Sequence, residues 1–219
     1  MLSHVLRSRL YAITPVNLAG TGELADFVKA LVAGGVGLIQ YRAKGLTARQ
    51  MVEDCQRILH ITRPARVPLL VDDRVAVALA VGAEGVHVGV TDMPVAYTRR
   101  LMGPHAIVGA TTQTPELARQ AEQGGASYVS VGPMFATPTA PEKTPVGPQR
   151  IAEVRAACKL PVCAIGGITD YDTLEQVALA RPDLVAVVRA LAEAEDIVST
   201  TRQWVRRVEQ LLGGGFELK

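Results

Sequence analysis

The sequence predicts a single (β/α)8 barrel of the TIM type. Two observations predict it. Eight short runs rich in Val, Ile and Leu alternate with eight amphipathic segments along 219 residues. The runs are apolar on both faces, the mark of parallel strands covered by helices on each side. Eight βα units in one chain of this length point to a compact barrel. A doubly wound open sheet has the same alternation and stays open as the alternative.

The elements follow in order. The run 10–14 precedes an amphipathic segment over 22–34, which ends in Gly34-Gly35. Glycine after a helix supplies the left-handed C-terminal conformation that other residues resist. The run 38–42 leads to 47–63, where Thr47 is a plausible cap. The run 68–73 leads to 74–82, which ends in Gly82. The run 85–89 leads to 94–102, and 107–112 leads to 114–124. Thr114-Pro115-Glu116 is a good helix start, with a capping hydroxyl, Pro at the first helical position and an acid in the first turn. The run 128–132 follows Gly124-Gly125, and a proline-rich loop separates it from the segment 148–158. The run 161–167 leads to 171–180 with Asp170 as cap, and 184–190 leads to 196–212. The sequence reads as one domain over 1–219, with its core from about 10 to 212 and a loose tail at 213–219 after Gly213.

Composition removes several classes of function. Hydrophobic content of 48% with 20% charged residues is that of a soluble globular protein. A net charge of +2 with scattered basic residues argues against nucleic acid, and 4% aromatics leave no stacking platform for single strands. No segment reaches the roughly 20 apolar residues of a membrane helix. The N-terminal residues Ser3, His4, Arg7, Ser8 and Arg9 interrupt any signal-like apolar stretch. Cys55, Cys158 and Cys163 have no metal-type spacing, which suits a reducing, cytoplasmic setting. Neither a P-loop nor a Gly-x-Ser-x-Gly elbow is present.

In a barrel the chemistry lies at the C-terminal ends of the strands. The second run ends Gln40-Tyr41-Arg42, with Lys44 two residues on. Arg42 and Lys44 alternate with apolar residues and suit a polyanion such as pyrophosphate, or else are surface cations. The third run ends Asp72-Asp73, and Asp92 follows the fourth. Carboxylates from two adjacent strand ends, with water and phosphate oxygens, suit Mg2+, although Asp73 and Asp92 could each cap a helix instead. His87 lies in an apolar strand and reads as a hydrogen-bonded structural histidine. The fifth run brings Thr111, Thr112 and Gln113 to the rim. Gly166-Gly167 after the seventh run, beside Val188 and Arg189 at the end of the eighth, occupy the usual barrel phosphate position. Between them lies the loop after Gly132-Pro133, with Thr137, Thr139, Lys143 and Thr144 among Pro138, Pro141 and Pro145. Prolines stiffen such a loop by fixing φ, and its hydroxyls and N–H groups can hold an oxyanion. The layout has two phosphate regions and one divalent-metal corner.

These motifs resemble the thiamine phosphate synthase family, within a superfamily that includes a related thiazole tautomerase. The likeness runs from Tyr11 to about Leu212 and rests on Gln40-Tyr41-Arg42-Ala43-Lys44, Val71-Asp72-Asp73, Gly85–Gly89 with Asp92, Tyr128–Thr139 and Ala164–Thr169. The resemblance implies Mg2+-dependent condensation of hydroxymethylpyrimidine pyrophosphate with thiazole phosphate. Pyrophosphate leaves, and the thiazole nitrogen traps the pyrimidine-methyl cation. It implies Asp73 and Asp92 as metal ligands, with Arg42, Lys44 and Thr111 as the catalytic set. Gln40, Asp72 and Thr111 would surround the pyrimidine. Thr137, Pro138, Thr139, Gly166, Gly167, Val188 and Arg189 would hold the thiazole phosphate. Its partners are these small molecules, and a homo-oligomer is allowed.

The chain departs from the family pattern at several positions. Ala140 stands where Lys is usual, a loss that could cost on the order of 2–4 kcal/mol of transition-state stabilisation. Lys143 lies three residues on. Asp72 stands for the usual Asn, Ala43 for Glu, Val90 for Gln, and Gln113 for a frequent His. The tautomerase relies on that His, so Gln113 argues against tautomerase activity. A diverged, non-catalytic relative that binds thiazole phosphate or thiamine phosphate is the other alternative, motivated by Ala140 and Asp72.

Overall fold

The structure is a computed structural model that describes residues 4–218. It opens with β1 (His4–Leu6), β2 (Leu10–Ile13), α1 (Glu23–Gly34), β3 (Leu38–Tyr41), α2 (Ala48–Thr62), β4 (Leu69–Asp72) and α3 (Val75–Val81). There follow β5 (Gly85–Val88), α4 (Val95–Met102), β6 (Ile107–Thr111), α5 (Pro115–Gln123), β7 (Tyr128–Val131) and α6 (Gln149–Ala157). The chain ends with β8 (Val162–Ile165), α7 (Tyr171–Ala178), β9 (Leu184–Val187), α8 (Arg189–Ala192), α9 (Ile197–Leu212) and β10 (Phe216–Leu218). Strands β2 to β9 form a closed, all-parallel barrel in chain order. Pairing of β9 with β2, at Ala12↔Val187, closes it and removes the open-sheet alternative.

Helix starts are where the capping chemistry puts them. Thr47 and Gln50 form a reciprocal capping box, as do Asp170 and Thr173, and Thr114 accepts from Leu117 N–H ahead of Pro115. Gly35 and Gly82 close α1 and α3 in the left-handed conformation. Arg181, at φ 53°, takes that conformation before β9 without being glycine.

Strand alternation sorts the core into two compartments. Leu10, Ala12, Ile39, Tyr41 and Val71 point outward and pack with the helices. Tyr11, Ile13, Leu38, Leu70, Ile107, Tyr128, Cys163 and Leu184 point inward and fill the barrel. The inward series continues upward, two or four residues on, to Gln40, Asp72, Thr111 and Ser130, with His87 inward on β5, so the same period of two that fills the floor also builds the site.

Three expectations are corrected. Residues 216–218 are not a loose tail: β10 pairs antiparallel with β1, and Leu6 and Leu218, each 1% exposed, join the barrel-interior cluster. Phe216 and Leu218 alternate around Glu217 and so present one apolar face to the barrel floor. The run 161–167 stops at Ile165, because Gly166 and Gly167 turn away at φ 92° and 72°. The run 184–190 stops at Val187, where pairing with β2 ends, and the chain turns into α8.

Candidate active site

The site is assembled at the C-terminal rim, from side chains that point inward at the tops of β3 to β6 and from the loops that follow. Gln40 Nε2 donates to Asp72 Oδ1 at 3.0 Å, which joins the tops of β3 and β4. Arg42 Nε and Lys44 Nζ both lie 3.6 Å from Asp72 Oδ2, and Lys44 Nζ is 2.5 Å from Asp73 Oδ2. Arg42 and Lys44 are therefore not stray surface cations. Both face one acidic corner.

Neither rim carboxylate caps a helix. The residue ahead of α3 is Arg74, with no side-chain cap, and Asp73 sits at φ 59° with its N–H on His87 O. The residue ahead of α4 is Pro94, while Asp92 Oδ2 accepts from Gly89 N–H at 2.7 Å. The Asp73 and Asp92 side chains share a hydrogen bond. Burial acts to raise Asp73, but the bonds from Asp92 and Lys44 outweigh it and hold its carboxyl below the usual range. Burial, then the Asp73 contact, raises Asp92 above the usual carboxylate range. Burial, then the Asp73 charge, pushes Asp72 up to about 7.

A pair of hard carboxylates from two neighbouring loops is a donor set that suits Mg2+. Among the described residues no group of three or more His, Cys, Asp or Glu side chains converges to hold a metal. The fit is thus to an ion that takes its remaining ligands from water and phosphate, the usual habit of Mg2+.

Thr111 is fixed from below. His87 Nε2 lies 3.0 Å from Thr111 Oγ1 and 3.4 Å from Ser130 Oγ, and His87 Nδ1 lies 2.8 Å from the Tyr128 hydroxyl. Tyr128 in turn donates to the Tyr11 hydroxyl at 3.1 Å. This polar chain runs up the barrel interior and ends at the rim. Burial lowers His87 to about 4, so the ring stays neutral. Gly109 makes the arrangement possible, since a Cβ there would lie 2.4 Å from both His87 Nδ1 and the Tyr128 hydroxyl.

The opposite side of the rim is shaped by close backbone packing. The Gly132-Pro133 bond is cis, and Met134 and Phe135 N–H groups bond to Ile165 O and Gly166 O. A Cβ on Gly166 would lie 2.6 Å from Pro133 Cβ, and one on Gly167 would lie 2.6 Å from Phe135 O. Only glycine allows this approach at positive φ. A cleft of about 570 Å³ at the rim is lined by Thr14, Asn17, Arg42, Thr139, Val188 and Arg189, and by none of Thr137, Pro138, Gly166 or Gly167. Arg189 is bidentate to Glu193 of the same short stretch, at 2.6 and 3.0 Å.

The structure brings Gln40, Arg42, Lys44, Asp72, Asp73 and Asp92 into one corner, and Thr139, Val188 and Arg189 into the adjoining cleft. Thr137 lies at the base of the loop turn, where its Oγ1 accepts from Thr139 N–H. The sequence reading missed Thr14, whose Oγ1 accepts from Arg42 N–H at 2.9 Å. The signal was available, since Thr14 is the polar residue ending the first apolar run. His87 was read as structural, and its bond to Thr111 gives it a place beneath the site as well.

Fold and site together define a (β/α)8 enzyme with a cation-and-carboxylate corner at the C-terminal rim. Residues 10–191 match the family model described as thiamine monophosphate synthase. The chain belongs to that family, and its relatives named thiamine-phosphate synthase are transferases. It is 40% identical over 203 residues to the thiamine-phosphate synthase of Chloroflexus aurantiacus, covering 92% of this chain and 93% of that protein. It is 44% identical over 194 residues to the thiamine-phosphate synthase of Roseiflexus sp. strain RS-1, covering 88% and 82%. The solved thiamine phosphate pyrophosphorylase of Pyrococcus furiosus superposes with a TM-score of 0.85 at 34% identity, covering 94% of this chain and 98% of that one. Among the described residues no helix is long and apolar enough to cross a membrane.

Proposed function

We propose that this chain is a thiamine-phosphate synthase that joins hydroxymethylpyrimidine pyrophosphate to thiazole phosphate, forming thiamine phosphate and pyrophosphate. One observation carries the reading. On a barrel of this family, Arg42 and Lys44 converge with Asp72, Asp73 and Asp92 at one corner, directly beside the Thr139–Val188–Arg189 cleft. A polyanion and a second phosphate can therefore be held side by side.

In this reading the bond between the pyrimidine methylene and pyrophosphate breaks, and its electron pair leaves with pyrophosphate. The thiazole nitrogen lone pair then forms the new carbon–nitrogen bond. Arg42 and Lys44 stabilise the charge that grows on the leaving group, which is where preorganised cations contribute most. Gln40 and Asp72 border the pyrimidine, and Thr111 presents a hydroxyl whose direction His87 fixes. Thr137, Pro138, Thr139, Gly166, Gly167, Val188 and Arg189 surround the thiazole phosphate. Much of the rate then comes from holding the two fragments in line. Asp73 and Asp92 would hold Mg2+, which when bound supplies neutralisation of phosphate charge. We place the reaction in the cytoplasm, where the buried Cys55, Cys158 and Cys163 remain free thiols.

Tautomerase activity has no support at the rim, because Gln113 is an amide that donates to Gly132 O at 3.3 Å. The test is pyrophosphate release with both substrates, for the wild type, Asp73→Ala and Asp92→Ala, with circular dichroism as the fold control. Mg2+-dependent release in the wild type, lost in both folded variants, is expected. Wild-type rates in both variants would remove the metal assignment, and no release by the wild type would remove the synthase reading.

A further inference from the structure

We propose that Asp54, buried on α2, is a positioning residue: it holds the loop after β2 as a preformed wall of the cleft that takes the thiazole phosphate. The inference rests on the synthase reading above and adds to it a residue that touches no substrate.

The loop needs an anchor. Thr14 to Leu18 line the cleft together with Arg42. Val16–Leu18 form a single 3-10 turn in which no residue is buried, so packing alone holds it weakly. Leu18 and Ala19 only lean, partly buried, on the outer core. The bonds from Leu18 N–H to Pro15 O, Ala19 N–H to Val16 O and Thr21 N–H to Leu18 O close the turn on itself. Among the described residues one hydrogen bond ties residues 15–21 to an element other than α1: Gly20 N–H donates to Asp54 Oδ2 at 2.7 Å.

Asp54 joins that loop to the strand that leads into Arg42. The same Oδ2 accepts from the Tyr41 hydroxyl at 2.6 Å, and Tyr41 is the last residue of β3, just before Arg42. Arg42 N–H in turn donates to Thr14 Oγ1 at 2.9 Å, at the other end of the loop. The loop is thus tied at Thr14 and at Gly20, and both ties lead to residues 41–42. Arg57 bonds to Asp54 Oδ1 at 2.5 Å from the outer surface and supplies the countercharge. The Asp54 side chain is 0% exposed. Burying such a pair costs desolvation, and packed apolar residues of similar volume often give equal or greater stability. An apolar residue cannot accept from donors on two elements at once and so fix their spacing. A wall fixed in the free enzyme spares the substrate the cost of ordering it on binding.

The test compares wild type, Asp54→Asn, Tyr41→Phe and Asp183→Asn on the full chain. Asp183 is the control carboxylate: it accepts from Val162 N–H at 2.9 Å and pairs with Arg155 where β8 and β9 begin, opposite the rim. The readings are steady-state kinetics for both substrates, calorimetric titration of thiazole phosphate, and hydrogen–deuterium exchange over residues 15–21. Asn offers one acceptor oxygen where three donors converge. In Asp54→Asn we expect faster exchange over 15–21 and a KM and Kd for thiazole phosphate raised about fivefold, as for a wall in place about one-fifth of the time, with kcat within about twofold of wild type. Tyr41→Phe keeps the carboxylate and its Gly20 bond, and should move the same quantities the same way by about twofold. Asp183→Asn should lower the unfolding midpoint and leave them unmoved. Wild-type KM and Kd in Asp54→Asn, or the same rise in Asp183→Asn, would overturn the inference and leave the synthase reading standing. If Asp54→Asn does not fold, Tyr41→Phe decides on the same readings. A wild type that binds thiazole phosphate but forms no product would remove the synthase reading, and the inference then stands or falls with Kd and exchange. Absence of both binding and turnover in the wild type would overturn both.

Discussion

Replacement of Leu218 by Ala tests the closure of the barrel floor. Leu218 is 1% exposed and packs with Leu6 into the interior cluster that also holds Tyr11 and Leu184. The change deletes three carbon groups, worth about 2.4 kcal/mol at roughly 0.8 kcal/mol each. Any cavity left behind adds to this, but a three-residue strand can settle inward, so the total belongs at the lower end of the range of about 2–5 kcal/mol for such truncations. A loss of about 2.5 kcal/mol corresponds to about 5–10 °C in Tm for a domain of this size. Urea unfolding followed by circular dichroism measures it, with Leu179→Ala as control. Leu179 is 85% exposed, and its truncation should change stability by less than about 0.5 kcal/mol. The rim is at the other end of the barrel, so kcat of Leu218→Ala at 25 °C should match the wild type. If Leu218→Ala is as stable as Leu179→Ala, β10 contributes nothing and the argument for a sealed floor is wrong.

Three further outcomes are expected. Gly109→Ala places a methyl against His87 and Tyr128; it should cost about 1–3 kcal/mol by overpacking and should lower kcat by displacing Thr111, which thermal melts and steady-state kinetics read together. Asp54→Ala removes a fully buried carboxylate that accepts from Gly20 N–H, the Tyr41 hydroxyl and Arg57, and urea unfolding should show a loss of about 3–5 kcal/mol. His87 stays neutral in the fold, with its pKa lowered by burial to about 4 against an ordinary value near 6.5. The unfolded chain therefore takes up a proton that the folded chain refuses, and stability should fall as pH drops from about 6.5 to about 4, by about 3 kcal/mol, and stay level above that window. A His87→Gln variant should lack that slope in urea titrations across the same range.

Much of the fold and of the site was legible because both obey the same period of two. Leu38, Gln40 and Arg42 alternate on one strand, and so do Leu70 and Asp72. Once a parallel barrel is inferred, the polar member at each strand's end must face the rim. Helix starts at Thr47, Thr114 and Asp170 were legible because capping is a local, side-chain-to-backbone interaction. What was not legible depends on register or on distant partners. The chain from Tyr11 through Tyr128 and His87 to Thr111 requires β2, β5, β6 and β7 to be set at fixed offsets, and no single segment encodes that. Val188 continues an apolar run, so the strand looked longer than it is. It ends where β2 stops offering partners. Residues 216–218 looked loose because their partner, β1, lies more than two hundred residues away in sequence. The Asp73–Asp92 contact was anticipated from neighbouring strand ends, whereas the engagement of Lys44 with Asp73 depends on side-chain placement beyond any spacing rule.

The most direct test is formation of thiamine phosphate by the purified protein from hydroxymethylpyrimidine pyrophosphate and thiazole phosphate, with Mg2+ and with EDTA in its place. The account predicts product with Mg2+ and none with the chelator, which would also show that Ala140 is tolerated. Thiazole phosphate bound in calorimetry without product under either condition would contradict it and identify the chain as a binding relative that has lost turnover.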